Sequence, residues 1–595
     1  MKDFIKKYFH NFVYFYRRLR YRVFIRMGLS ITVGFMDGFG LAMFLPLMQM
    51  VNNKTELQPE ELGNLKFIIE GFNQVGVQLN LTNILILLGV FFMCKGAAVY
   101  ISGIYEVIVR QYFIKNIRIS LTQDLSSLSY KAFVTADAGK IQNTLSGEVG
   151  RISQAYQHYF NTFQQIFLVA VYMIFAFFVD AKFALLITLG GLITNFLFKR
   201  IYVATKRASS QLTKDAHVYQ RLILQFVANF KYLKASGGLR KFNAKLLSAI
   251  HEIEQNNQRL GKLGAIVTAV REPLLIIVVC AVIYVQVNVL DGSLGPILIS
   301  LLFFYRALTA LVQMQTSHNS FLAVSGSLEN MTVFEQELKS NKEKDGKVEI
   351  TRFSRHIDLQ DVTFGYQDRP VLQNVSICVR KNQTIAFVGE SGSGKTTLIN
   401  LLVGLVPVDS GVMLVDGVDR NAVNMASFQR RIGYITQEPV IFNDTIFNNV
   451  TFWDRPDHTN LERFQLALKK AAILDFVEEL PKKGEEMLGN NGINISGGQK
   501  QRISIARELY KDIDILVLDE ATSALDSETE REIQGNIDAL KGEYTILIIA
   551  HRLSTIRNVD QVVLMNKGQI TAVGGYEELV SSSSTFKKMV SLQEL

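Results

Sequence analysis

The pattern of apolar and polar positions divides the chain into two unlike halves. The first carries six long, nearly uncharged runs: roughly Arg26–Val51, Leu81–Ile104, Tyr159–Val179, Phe183–Tyr202, Glu272–Leu290 and Leu294–Gln315. About 20 apolar residues in a helix cross the hydrocarbon core of a bilayer, so each run predicts a membrane span. Buried core helices are the alternative, but these are shorter and more often broken by charge than "FQQIFLVAVYMIFAFFV" or "PLLIIVVCAVIYVQVNVL". Residues 105–157 and 203–263 are polar, helix-compatible and too long for loops, which predicts helices continuing well beyond the bilayer. Each is interrupted once, near "FVTADAGK" and near "KASGG", where short cross-helices are expected to touch a cytoplasmic domain. After the charged joint "KSNKEKDGKVEITR" (Lys339–Arg352), short β runs alternate with helices. The expected fold is an α-helical membrane domain (1–338), a linker (339–352) and an α/β domain (353–595).

Composition and charge orient this plan. With 595 residues, 48% hydrophobic and 20% charged, the chain is too apolar for an ordinary soluble protein. Its sequence pI of about 9.1 raises nucleic acid as a partner, but much of the basic excess flanks the apolar runs. Orientation in a membrane explains that placement, and no nucleic acid is expected. Residues 1–26 hold eight Lys and Arg against Asp3 alone, and 199–262 hold a second dense basic set. Asn52–Asn80 carries only Lys54 and Lys66 against four glutamates, and "NVLDGSLGP" has no basic residue. Both termini are therefore expected in the cytoplasm, which an even number of spans requires. Phe4, Tyr8, Phe12, Phe15 and Leu19 recur at helical spacing among Lys and Arg, predicting an amphipathic helix on the inner leaflet. The long charged region and long first run argue against a cleavable signal; a mitochondrial presequence stays open as an alternative. Cys94, Cys280 and Cys378 match no metal or redox spacing and read as inert apolar fillers.

The chemistry lies in the second half. "TIAFVG" is a buried-strand pattern leading into "GESGSGKTT" (Gly389, Glu390, Ser391, Gly392, Ser393, Gly394, Lys395, Thr396, Thr397) and then the helix "TLINLLVGL". Strand, glycine loop, Lys, Thr and helix is the context in which backbone N–H groups of Gly392, Ser393 and Gly394 can wrap phosphates. In such a loop Lys395 reaches the β- and γ-phosphates and the Thr396 hydroxyl ligates Mg²⁺. A second apolar strand, "DILVLDE", ends in Asp519 and Glu520, where one carboxylate can hold the Mg²⁺ shell and its neighbour polarise water. Two solvated acids after a core strand are common, but this pair follows a P-loop in the same domain. His551, after "TILIIA", is a third polar residue at a strand end. A further glycine-rich stretch, "NISGGQKQR", has Ser496, two glycines and the start of a helix, a combination suited to another phosphate.

These motifs, in this order, resemble the nucleotide-binding domain of ABC transporters over residues 353–595, and six spans ahead of it resemble an exporter-type half-transporter. The resemblance implies roles for several residues. Tyr366 in "FGYQDRPVL" would stack on adenine, and Gln437 in "ITQEPVIF" would link Mg²⁺ and water to the membrane domain. Glu520 would be the catalytic base, Ser523–Asp526 ("SALD") the dimer-contact loop and His551 the switch histidine. "ISGGQ", with Ser496, Gly497, Gly498 and Gln499, matches the family signature, which in this family completes the ATP site of another chain. A second identical chain is thus the implied partner, giving two composite sites. One departure is Asn490 in "LGNNG", where exporters usually carry glutamate; coupling there would rest on hydrogen bonds rather than charge.

Cargo is sought among ionisable residues inside the spans, which are costly in lipid. Lys95, Arg306 and Asp37 interrupt their runs, and Arg271 with Glu272 opens the fifth. Arg271 and Glu272 can equally be an interfacial anchor, and Asp37 can be the partner of one of the two cations. "MDGFGLAMFLPLM" and "YRALTALVQMQ" resemble the first and sixth spans of exporters that flip lipid-linked saccharides, including those of bacterial N-glycosylation, although Thr309 replaces a proline common there. The expected function is ATP-driven outward movement of an amphipathic, anionic or lipid-linked substrate across a bacterial inner membrane. A multidrug or peptide exporter and an ATP-gated channel are the alternatives.

Overall fold

A computed structural model describes residues 10–43, 47, 80–179, 181–288, 294–366, 369–519, 535, 538–550 and 556–593. Over most of 182–197 and 294–302 it describes the backbone alone. The acidic segment 52–79 and the turn after the fifth run fall outside these residues. By internal packing the chain divides into two units: Met1–Ser127 with Ala136–Ser340, and Leu128–Thr135 with Asn341–Leu595.

Among its described residues the first unit is helical throughout. Helices α1 (His10–Leu19), α2 (Tyr21–Ala42) and α3 (Leu81–Ser126) precede α4 (Tyr130–Thr135), which belongs to the second unit. Then follow α5 (Ala138–Asn143), a π-turn (Thr144–Glu148), α6 (Val149–Val179), α7 (Ala181–Ala228), α8 (Phe230–Ala235), α9 (Leu239–Asn288) and α10 (Leu294–Ser340). Helix α3 has 46 residues, about 70 Å of rise, more than twice the roughly 30 Å hydrocarbon core. The Asn80 side chain starts it by accepting the Asn83 N–H at 2.8 Å. Four helical stretches are long and apolar enough to cross a membrane among the described residues: Tyr21–Ala42, Leu81–Ser126, Ala138–Phe178 and Leu239–Val285. The fourth and sixth apolar runs lie in α7 and α10, with side chains undescribed over most of the fourth and over 294–302 of the sixth.

Close packing of the spans uses a small residue at a crossing: a Cβ on Gly38 would meet Phe175 Cε2 at 2.6 Å and Val171 Cγ1 at 2.8 Å. Helix α1 departs from the expectation of an apolar face laid on lipid. Its Phe15 and Leu19 are fully buried, and the Phe15 ring lies 5.6 Å from Phe113 and 5.7 Å from Phe160, so that face is spent on α3 and α6. Both predicted interruptions are present, with short helices α4 and α8 close to them.

The second unit holds two sheets. An antiparallel sheet of order β2-β1-β4-β5 contains β1 (His356–Phe364), β2 (Leu372–Arg380), β4 (Ser410–Val415) and β5 (Val418–Asp419). The six-stranded sheet has the order β10-β9-β3-β8-β7-β6. It comprises β3 (Thr384–Gly389), β6 (Ile432–Ile435), β7 (Ile515–Asp519), β8 (Thr545–Ile549), β9 (Gln561–Asn566) and β10 (Gln569–Gly574). All its pairings are parallel except β9 with β10. Residues 384–388 of β3 and all of β8 are buried, which is why they read as continuous apolar runs. Alternate residues enter separate cores: Ala386 and Val388 one, Ile385 and Phe387 the other. Ligands of such sheets bind beyond the carboxyl ends of the strands, where β3 and β7 deliver Gly389 and Asp519.

Candidate ATP site

The loop between β3 and helix α11 (Lys395–Leu402) has the backbone a phosphate cradle needs. Gly392 and Gly394 have φ of 79° and 102°, the left-handed region where a side chain is strained. At Gly394 a Cβ would also meet Leu372 Cδ2 at 2.9 Å, whereas the space beside Gly392 is open. Lys395 is buried, and its Nζ donates to the carbonyls of Gly389 at 2.8 Å and Glu390 at 3.0 Å. The ammonium is thus held over the mouth of the loop, where a nucleotide's phosphates would meet it. Thr396 is exposed at the first turn of α11, and Thr397 points into the core. Ser393 is buried; its N–H donates to Glu390 O at 3.1 Å and its carbonyl accepts the Gly568 N–H at 3.0 Å.

Around this cradle stand the other predicted groups. The Tyr366 ring packs edge-on against Phe364 at 5.1 Å, and its hydroxyl accepts from Asn400 Nδ2 at 3.4 Å. Asp519 ends β7 half-buried. Burial and the neighbouring Asp519 carboxylate push up the phenol of Tyr434, on neighbouring β6. Gln437 is exposed just past β6. Glu520, Ser523, Asp526 and His551 lie outside the described residues.

The signature stretch opens helix α12 (Gly497–Tyr510). Ser496 caps it: its Oγ accepts the Gln499 N–H at 3.3 Å, while Gln499 Oε1 accepts the Ser496 N–H at 2.8 Å. The reciprocal bonds satisfy two donors; those of Gly497 and Gly498 have no acceptor among the described residues and can serve an anion at the positive end of a 14-residue helix. Ser496 and Gly497 are exposed. Asn490 is also exposed, in a tight turn with Asn491 and Gly492 at positive φ.

In the spans, Lys95 is no lone cation. Its Nζ pairs with Asp37, and the Tyr172 hydroxyl donates to the other oxygen of the same carboxylate. Arg306 is exposed and has no ion pair among the described residues; Thr309 donates to its carbonyl at 2.8 Å. The side chain of Arg271 is outside the described residues, and Glu272 is exposed. Sequence reasoning overlooked Arg26, which is buried and bonds Glu106 at 2.5 Å and Ser102 at 2.7 Å. A cation at the edge of an apolar run was the available signal. It also overlooked Lys131, Asp409 and Tyr434, for which local sequence holds no signal.

Comparison with known proteins agrees with this arrangement. The family model described as ABC transporter transmembrane region matches residues 23–315, and that described as ABC transporter matches 372–523. Among curated relatives, an ATP-dependent lipid A-core flippase of Syntrophus aciditrophicus is 28% identical over 84% of each chain. One of Mannheimia succiniciproducens is 31% identical over 67% of each. A solved bacterial Atm1-family ABC exporter with ATP bound shares the fold, with a TM-score of 0.78 and 22% identity, over 97% of this chain and 100% of that one. With both family models matched in order around a formed phosphate cradle, the chain belongs to the ABC transporters, as an integral membrane protein that hydrolyses ATP and carries its membrane region and ATP-binding domain in one polypeptide.

Proposed function

We propose that two copies of this chain form an exporter that uses ATP to move an anionic amphiphile, such as a lipid with a phosphate-bearing head group, from the cytoplasmic side outward. The observation that carries the cargo reading is Arg306: an exposed cation in the sixth apolar run, without an ion pair among the described residues. A guanidinium there needs a water-filled cavity or an anionic ligand, and it binds phosphate through two parallel hydrogen bonds. The names of the relatives, lipid A-core flippases, support a lipid cargo. The tail can remain in the bilayer while the head group crosses, so only the head group needs shelter.

The six apolar runs and the basic flanks support six spans in a bacterial inner membrane with both termini in the cytoplasm. Each ATP would lie between Lys395 of one chain and Ser496, Gly497 and Gly498 of the other. That reading explains why the capped start of this helix stands exposed. Thr396, Gln437 and Asp519 would hold Mg²⁺, which would offset charge on the phosphates; Glu520 would take a proton from the attacking water and His551 would contact the γ-phosphate.

The experiment is ATPase stimulation in nanodiscs by lipids of equal tails and different head groups. Phosphate-bearing lipids should stimulate the wild type and fail to stimulate Arg306→Ala, whose basal hydrolysis stays intact. Equal stimulation of both proteins would defeat the anionic-cargo reading.

A further inference from the structure

Helix α4 (Tyr130–Thr135) falls in sequence between two long helices of the first unit, yet it packs within the second. The Ser129 N–H donates to the Asn341 carbonyl at 3.0 Å, and Leu128 forms a β-bridge with Lys342. From that seat Lys131 Nζ donates to Asp409 Oδ1 at 3.0 Å and stands 4.9 Å from the centre of the Phe364 ring. The other oxygen of the same carboxylate, Oδ2, accepts the Gly365 N–H at 2.8 Å. Asp409 is itself fixed to β1, because its N–H donates to the Thr363 carbonyl at 3.1 Å. Gly365 directly precedes Tyr366. Tyr130 reaches the same place: burial and the neighbouring Tyr366 phenol push its own phenol up.

We propose that Asp409 is a positioning residue for the nucleotide base. It fixes the Gly365 N–H, and through it the ring face that Tyr366 offers to adenine, while Lys131 of α4 sets the orientation of its carboxylate. The proposal rests on reading Tyr366 as the adenine platform. The two halves of the relay differ in strength. The side chains of Lys131 and Asp409 are 30% and 45% exposed, so their ion pair contributes little. The carboxylate-to-N–H bond is charge-assisted and held at both ends, so it dominates. Linkage follows: if the seat of α4 changes adenine affinity, ATP binding biases the seat of α4 by the same factor.

The test is equilibrium binding to the full-length protein in nanodiscs, using ATP and, separately, inorganic tripolyphosphate, which occupies the cradle without a base. Asp409→Ala should weaken ATP about tenfold, as Tyr366→Ala does, and leave tripolyphosphate within about twofold. Asp409→Asn keeps an oxygen acceptor for Gly365, so it should stay within about threefold of wild type for ATP, as should Lys131→Ala. If Tyr366→Ala binds ATP normally, the adenine-platform reading fails. If Tyr366→Ala weakens ATP and Asp409→Ala does not, the positioning role fails. If Asp409→Ala weakens ATP and tripolyphosphate alike, the carboxylate only supports the fold and the proposal is overturned.

Discussion

Replacing Lys95 with alanine should harm the protein through Asp37 before it harms transport. In the folded chain the Asp37 side chain is 8% exposed and that of Lys95 25%, and Tyr172 is the second donor to the carboxylate. Removing the ammonium leaves a nearly buried charge whose remaining hydrogen-bond donor among the described residues is the Tyr172 hydroxyl. Breaking a fully buried pair from one side costs about 3–5 kcal/mol; with a quarter of the lysine exposed, about 2–4 kcal/mol is expected. Removing both charges is far milder, because no desolvated ion is left. The assay is thermal unfolding in detergent of Lys95→Ala, Asp37→Ala and the double variant. Lys95→Ala should unfold clearly below the wild type, and the double variant should recover most of that loss. Arg306→Ala, an exposed cation, should unfold at the wild-type temperature. If Lys95→Ala unfolds like the wild type, the pair is not holding the spans together and the reasoning is refuted. If the double variant is as unstable as the single, the unpaired charge is not the cause.

Further outcomes concern the ATP-binding half. Glu520→Gln should bind ATP and nearly stop turnover, read by nucleotide retention and phosphate release; hydrolysis at the wild-type rate would remove Glu520 as the base. Dimers pairing a Lys395→Ala chain with a Ser496→Arg chain place both lesions in one site and leave the other whole. Each homodimer should be nearly inactive, and high activity in both would refute composite sites. Burial alone would push the Asp514 carboxyl up, but the Arg431 guanidinium and the Phe353 N–H, each at 2.8 Å, outweigh it and hold it below its ordinary value. Its stabilisation is therefore present above the unfolded carboxyl pKa near 3.9 and is lost as pH falls through the lower folded value. Asp514→Asn should lower the unfolding temperature at neutral pH by a margin that shrinks as the medium is acidified below that point. A margin constant with pH would contradict the linkage.

What the sequence disclosed depended on how local the cause was. The P-loop was legible because a strand, glycines at positive φ and the lysine that follows are set within one short segment. The signature's cap was legible for the same reason, Ser496 and Gln499 being one helical turn apart. Uncharged runs announced, among the described residues, four helical stretches long and apolar enough to cross a membrane, since a bilayer punishes charge wherever it falls. Pairings across the fold were only partly legible. Asp37 read as the partner of one of the two cations, but with Lys95 58 positions away and Tyr172 135 from Asp37, only packing shows that the cation is Lys95 and that the phenol joins the pair. Aromatic spacing gave α1 its helix but not its cover, because the same stripe serves lipid or the faces of α3 and α6 equally well. Asp409 carries no local mark at all; its importance arises from where α4 comes to rest.

The most direct test is transport itself, measured in proteoliposomes containing a fluorescent lipid whose head group bears phosphate. A membrane-impermeant quencher reports how much head group remains in the leaflet that faces the ATP-binding domains. ATP with Mg²⁺ should drive the head group out of that leaflet past equal distribution between the two sides, and Lys395→Ala vesicles should leave it in place. Movement that stops at equal distribution, or that proceeds equally in Lys395→Ala, would mean a passive pathway and would contradict an ATP-driven exporter.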